Sequence, residues 1–105
     1  MLLVRKEFFE DIRRGAKTTT LRFWRWCRTP AGSVHTVRGL GRLRIDSAQA
    51  VEWGQLTDAD ARADGFRDLA ALRAALESLY PPEKRQGRKL YQVHFAYLGD
   101  PAAGP

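Results

Sequence analysis

Residues 15–26 read GAKTTTLRFWRW, and this stretch decides how the rest of the chain is interpreted. Before it, Phe8, Phe9 and Ile12 recur at spacings of three and four, which predicts a short amphipathic helix over 7–14. Gly15 would end that helix, and the β-branched and aromatic residues after it predict a strand over 18–27. Lysine, threonine and arginine side chains therefore meet at a turn from helix to strand.

The strand predicted over 18–27 has two different faces, because residues two apart in a strand point the same way. Thr20, Arg22 and Trp24 would share one face, and Leu21 and Phe23 the other. A face with arginine and tryptophan suits a flat anionic ligand, since indole stacks on bases and guanidinium pairs with phosphate. This is the first indication of a nucleic acid or a nucleotide.

The pattern Gly15-x-Lys17-x-x-Thr20-x-Arg22 is similar to the G-x-K-x-x-[T/E]-x-R signature of the ASCH (activating signal cointegrator homology) family, whose β-barrel is related to the PUA domain. Three later blocks also resemble the family in its own order: a short helix closing on an acid-Gly-Phe turn, a second helix and a closing strand, at 56–66, 69–81 and 90–95. The resemblance covers residues 2–98. It implies an α+β fold, a PUA-like β-barrel with short flanking helices.

The remaining patterns predict further elements. Strands are expected over 2–4, 34–37, 40–45 (resuming to Trp53) and 91–97. Thr57 with Asp60 resembles a capping box, and Asp68 can cap a second helix. That helix carries an apolar stripe expected to face the core rather than a ligand: Leu69, Leu72, Leu76 and Leu79. The two prolines at 81–82 would end it, and 83–89 is expected to be a mobile basic loop.

The length of 105 residues predicts one domain over 1–99, with 100–105 as a disordered tail. No apolar run approaches the ~20 residues that span a bilayer, and the charged start does not fit a signal peptide. A single cysteine, Cys27, suits a reducing cytoplasm. Cys27, His35 and His94 are scattered, so we expect neither a metal site nor a cofactor.

Charge is unevenly distributed along the chain. Residues 1–44 hold eleven Lys and Arg against three Asp and Glu, whereas residues 45–80 hold three against seven, within a net charge of +6. Such asymmetry is expected when one face meets a polyanion. A solvated basic surface would give the same counts, so charge alone leaves both interpretations open.

Lys17, Thr20 and Asp64 are the candidate catalytic residues. Lys17 is a solvated lysine, a phosphate clamp or, with a lowered pKa, a general base. Thr20 is an ordinary strand residue or a hydroxyl within reach of that amine. Asp64, just before Gly65 at a predicted helix end, is an exposed aspartate or a proton-transferring acid whose proton affinity the helix dipole raises.

The resemblance adds an activity to these candidates. Some small ASCH proteins are amidohydrolases that deacylate N4-acetylcytidine with a lysine, a threonine and an acidic residue, which correspond to Lys17, Thr20 and Asp64. Asp64 stands where those enzymes have Glu, and the lost methylene can misplace a proton donor by roughly 1 Å and cost ~10²-fold in rate. In that mechanism Lys17 activates Thr20 or water, Arg22 or backbone N–H groups stabilise the oxyanion, and Asp64 protonates the leaving amine.

The function placed first is binding of RNA or a nucleotide in a basic cleft between barrel and helices. Amidohydrolysis is the alternative, and an interaction domain without a nucleotide is third; no membrane partner is expected. A closed pocket the size of a base would favour catalysis, and an open basic groove would favour RNA. Six residues are expected to line or flank the cleft: Lys17, Arg22, Trp24, Arg25, Arg42 and Arg44.

Overall fold

The computed structural model describes residues 4–100, which form an α+β structure. Its α-helices are α1 (Phe9–Arg13), α2 (Asp58–Ala63), α3 (Leu69–Leu79) and α4 (Pro82–Arg85). Its strands are β1 (Thr19–Trp24), β2 (Val34–Val37), β3 (Gly41–Ala50) and β4 (Lys89–Gly99). Short 3-10 helices precede α1 and α2, at Lys6–Phe8 and Trp53–Gln55. Residues 2 and 3 of the first predicted strand and residues 101–105 of the predicted tail lie outside the described residues, and Val4 is not in a strand.

Helices α2 and α3 begin where the sequence predicts their caps. The Thr57 hydroxyl accepts a hydrogen bond from the Asp60 amide at 3.1 Å, and the Asp60 carboxylate accepts one from the Thr57 amide at 2.9 Å. This confirms the capping box, which satisfies amides that the first helical turn leaves unpaired. The Asp68 carboxylate caps α3 in the same way by accepting from the Ala71 amide at 2.8 Å.

All four strands form one antiparallel sheet in the order β1-β4-β3-β2. Thr20 of β1 lies opposite Val93 of β4, and Phe95 of β4 lies opposite Ile45 of β3. The register shifts between Ile45 and Ser47, as at a β-bulge, which bends a strand and increases its twist. The closing strand of the sequence therefore lies in the middle of the sheet.

The resemblance implies a closed β-barrel, and this expectation is wrong for the described residues, which form an open sheet. Within residues 4–100, β1 and β2 are the two edges of an open sheet and do not pair with each other. A barrel closes only when the strands tilt around a common axis and the two outer strands pair. Here β2, one of the outer strands, has only four residues. Local sequence patterns predict strands, but they do not tell whether the two outer strands meet.

Several boundaries also differ from the predictions, and β4 extends over Lys89–Gly99 instead of 91–97. β1 ends at Trp24, because the chain bends at 25–26. The observed strand therefore ends three residues before the predicted one. β3 ends at Ala50 instead of Trp53. Residues 83–85 of the predicted mobile loop lie in α4, which begins with Pro82 at its first helical position.

The sheet separates two apolar clusters, because alternate residues of each strand face opposite sides. Leu21 and Phe23 of β1 pack on the side of α2 and α3. Leu43, Ile45 and Val93 are fully buried with α1 on the other side. Burying one such side chain contributes about 1.5–3 kcal/mol, so these clusters hold the helices that surround β1 in place.

Candidate functional site

A cavity of about 520 Å³ lies beside β1. Three consecutive residues of β1, Thr20, Leu21 and Arg22, all line it, although successive side chains point to opposite faces. The cavity therefore meets the strand at its edge, between the α1 side and the α3 side. Its volume is typical of sites for small molecules. The other residues that line it come from the N-terminal segment, from α3 and α4, and from the turns between elements: Val4, Arg5, Phe8, Lys17, Asp64, Phe66, Ala75, Leu76, Leu79, Tyr80, Lys84 and Arg88.

Lys17 is held in this cavity by the turn between α1 and β1. The backbone amides of residues 16 and 17 both donate to the carbonyl of Asp11, at 2.8 and 3.0 Å. The next amide, of Thr18, donates to the carbonyl of Ala63 at the end of α2, at 2.8 Å. The turn is thereby tied to both helices, and the Lys17 side chain is buried, with 4% of its surface exposed.

Asp64 reaches Lys17 from the end of α2. It is the residue that ends the helix, and Gly65 after it has a φ of +94°, a left-handed conformation that favours glycine. The Lys17 amine donates to the Asp64 carbonyl at 2.6 Å and also forms an ion pair with its carboxylate. The aspartate, one methylene shorter than glutamate, is therefore long enough to contact the lysine directly.

Burial shifts both members of this pair towards their neutral forms. It raises the pKa of Asp64 to about 6, while the nearby ammonium of Lys17 opposes part of that rise. It also lowers the pKa of Lys17, while the Asp64 carboxylate opposes part of that drop. Because desolvation dominates in each case, a proton passes between the two groups more easily than it would in water.

Aromatic rings enclose the pair. The Lys17 amine lies 4.6 Å from the centre of the Phe8 ring, within the range of a cation–π contact. Phe8 packs edge-on against Phe66, with ring centres 5.7 Å apart. The two rings form one apolar wall of the cavity, and half-buried Tyr80 adds a third ring.

Thr20 and Arg22 form the second polar group of the site. Arg22 Nε donates a hydrogen bond to the Thr20 hydroxyl at 3.0 Å. Burial lowers the pKa of Arg22, but a guanidinium stays protonated in proteins. Thr20 is thus oriented by a cation, which stabilises negative charge on its oxygen.

Lys17, Thr20, Arg22 and Asp64, separated by up to 47 positions in sequence, therefore meet in one cavity. Their catalytic and binding roles stay predictions.

The other four predicted binding residues do not line this cavity. Trp24 is half-buried, with its ring centre 5.9 Å from that of Tyr91. Arg25 is exposed in the bend after β1. Arg42 and Arg44 are exposed on β3, which β4 separates from β1.

Sequence reasoning missed several residues of the cavity. Arg5, Lys84 and Arg88 are exposed cations that line it, although 83–89 was expected to be a mobile loop. Leu76 and Leu79, expected only in the core, also line it. The sequence contained one indication of this: a basic run follows directly after the prolines at 81–82, which end the helix that borders the cavity.

No group of three or more His, Cys, Asp or Glu side chains between residues 4 and 100 is arranged to hold a metal ion. In that same part of the chain, each helix is too short or too polar to cross a bilayer.

The sheet, the helices and the charged cavity define a small α+β domain, and solved structures identify its type. The chain resembles an ASCH domain from Lactobacillus crispatus with a TM-score of 0.73 and 18% identity, over 87% of this chain and 70% of that one. It resembles an Enterococcus faecalis protein of the family DUF984 with a TM-score of 0.68 and 15% identity, over 89% and 71% of the two chains. A Pyrococcus furiosus protein gives a TM-score of 0.64 at 14% identity, over 91% and 94%.

The chain therefore has an ASCH-type fold, as the motif at residues 15–22 predicted. Identities this low show the fold alone. No protein-family model matches the sequence, and no curated protein matches it either.

Proposed function

We propose that the cavity binds RNA or a nucleotide by enclosing one base with its sugar. One observation carries the proposal: a single cavity combines five basic side chains, one carboxyl group and three aromatic rings. A base offers flat faces for the rings and polar edges for the charged groups, and its phosphate offers negative charge for the cations. Few other ligand classes use all three features at once.

The walls differ in a way that suits such a ligand. Phe8, Phe66 and Tyr80 supply aromatic surface, and stacking of one base on a ring contributes ~1–3 kcal/mol. Arg22 and Asp64 supply a donor and an acceptor for the edge of the base. The ASCH-type fold supports the proposal by analogy only.

The test is a titration of the ¹⁵N-labelled protein with cytidine 5′-monophosphate and with a short single-stranded RNA, followed by NMR. We expect shifts at the amides that surround the cavity, and weaker binding by Arg22→Gln. Arg42→Gln is the matched control, since it removes an exposed strand arginine outside the cavity and should bind as the wild type does. Shifts confined to β3, or equal losses in the two variants, would contradict the proposal.

A second candidate is hydrolysis of the amide of an N4-acylated cytidine, which the Lys17–Asp64 pair favours. Transfer of one proton within the pair gives a neutral amine and a protonated carboxyl group at once. These are the general base and the general acid that amide hydrolysis requires. The opposite shifts of the two pKa values reduce the cost of that transfer.

The positions of Thr20 and Arg22 suit the same chemistry. Neutral Lys17 would accept a proton from Thr20 or from water, and the resulting oxygen nucleophile would attack the acyl carbonyl. Arg22, which donates to the Thr20 hydroxyl, stabilises negative charge that develops on oxygen. Protonated Asp64 would give its proton to the leaving cytosine amine. Where Thr20 is the nucleophile, water would then hydrolyse the acyl ester on Thr20, which releases the carboxylic acid and regenerates the hydroxyl.

The experiment is incubation with N4-acetylcytidine, with release of cytidine followed by chromatography. Lys17→Met and Thr20→Val should abolish release, while Arg42→Gln should retain it. Because the Asp64 carboxylate raises the pKa of Lys17, Asp64→Asn should shift the alkaline rise of residual activity to lower pH. No release by the wild type would leave binding as the function.

A further inference from the structure

Three exposed cations converge on the cavity from separate parts of the chain. Arg5 precedes the first helical turn, Lys84 lies in α4, and Arg88 lies in the turn that leads into β4. All three line the cavity but are exposed, whereas Lys17 is buried. The exposed cations therefore mark the mouth of the cavity, and the Lys17–Asp64 pair marks its floor.

The charge at the mouth is not balanced by nearby acids. Among residues 4–100, neither Lys84 nor Arg88 has a carboxylate within ion-pair distance. Arg5 contacts Glu7 at 3.4 Å, but both side chains are about 60% exposed, and such pairs contribute little. These cations are available to an anion that enters the cavity.

The floor has the opposite property. Lys17 is already neutralised by Asp64, and the carboxylate would repel a phosphate placed beside it. An anionic group is therefore favoured at the mouth and disfavoured beside the Lys17–Asp64 pair. A ligand that satisfies both ends carries an uncharged polar ring at one end and a concentrated negative charge at the other.

We propose that Arg5, Lys84 and Arg88 form a phosphate subsite, and that the ligand is a nucleoside monophosphate bound with its base towards Lys17 and Asp64. This inference rests on the proposed function and names its ligand class. A phosphate monoester carries close to two negative charges at pH 7, whereas an internal diester carries one. Three converging cations match the monoester better, and the cavity volume suits one nucleotide rather than a strand.

The test is calorimetric titration with cytidine, with its 5′- and 3′-monophosphates, and with an RNA trinucleotide that has no terminal phosphate. At least one monophosphate should bind roughly tenfold more tightly than cytidine, since each exposed ion pair contributes a few-fold. The double variant Lys84→Gln/Arg88→Gln should lose most of this difference, because only Arg5 of the subsite remains. Lys89→Gln is the matched control, because Lys89 is an exposed neighbour outside the cavity.

The outcomes separate this inference from the function on which it rests. Equal affinities for cytidine and both monophosphates would overturn the phosphate subsite and leave base binding intact. Tighter binding of the trinucleotide than of either monophosphate would also overturn it, in favour of an RNA chain. Binding of none of these compounds would overturn the proposed function, and the subsite with it.

Discussion

Removing Lys17 alone from the Lys17–Asp64 pair should destabilise the protein far more than removing both members. Both side chains are about 5% exposed. A buried ion that loses its partner costs ~3–5 kcal/mol, whereas replacing a whole buried pair is often neutral. Because burial raises the pKa of Asp64, a neutral side chain is tolerated at that position. At pH 7 we therefore expect Lys17→Met to lose about 3 kcal/mol, Asp64→Asn to lose little, and the double variant to lose less than about 1 kcal/mol.

The assay is equilibrium unfolding in urea, monitored by tryptophan fluorescence, with all four members of the double-mutant cycle measured in the same buffer. A loss of about 3 kcal/mol corresponds to a drop of ~12–24 °C in Tm for a domain of this size. The control is Arg44→Gln, which breaks an ion pair of 2.8 Å that is about half exposed. It should cost less than about 0.5 kcal/mol.

Two results would refute this reasoning. The first is a loss in Lys17→Met no greater than that of the Arg44 control, which would mean that water solvates the carboxylate left behind. The second is additivity of the single losses in the double variant, which would mean that the two side chains do not interact. A coupling of ~2 kcal/mol or more is what a buried pair requires.

Three further predictions concern the surroundings of the pair. Between pH 3.8 and about 6, the folded protein binds more protons at Asp64 than the unfolded chain does. The free energy of unfolding should therefore fall as pH rises through this window, by on the order of 3 kcal/mol. Asp64→Asn, which lacks the titrating group, should not show this fall. Gly65→Ala should cost ~1–2 kcal/mol, because φ is +94° and the new Cβ would lie 3.3 Å from the Phe8 ring. Gly54→Ala, with open space around it, is its control and should cost nothing. Thr57→Ala should cost ~1 kcal/mol by removing the cap of α2, as thermal unfolding would show.

Each of these has a contradicting result. Parallel pH profiles for the wild type and Asp64→Asn would mean that the pKa of Asp64 is not raised. Equal Tm values for Gly65→Ala and Gly54→Ala would mean that the left-handed turn is not required. No loss of stability in Thr57→Ala would mean that the capping box does not hold α2.

Local features of the fold follow from the sequence, and long-range ones do not. The caps at Thr57 and Asp68 are confirmed, because capping depends on residues within one helical turn. The open sheet was not predicted, because closure depends on whether β1 and β2 meet across the whole domain. α4 was missed because a four-residue helix is too short for a periodic pattern.

The site was predictable in part for the same physical reason. The motif at residues 15–22 places Lys17, Thr20 and Arg22 near one another in any helix-to-strand turn. Sequence patterns could not tell a solvated lysine from the buried one observed, because burial comes from α2 and Phe8. Nor could they assign Arg88 to the cavity. The alternation of side chains on β1 predicted a site on the face of the strand that carries Trp24, whereas the cavity lies at the edge of the strand.

The most direct test of the account is the location of a bound nucleotide, by a crystal structure or by intermolecular NOEs with cytidine 5′-monophosphate. We expect the base to lie between Phe8 and Tyr80 with its polar edge towards Asp64, and the phosphate to lie beside Lys84 and Arg88. A base stacked on the exposed Trp26 ring, with an empty cavity at saturating ligand, would contradict the account.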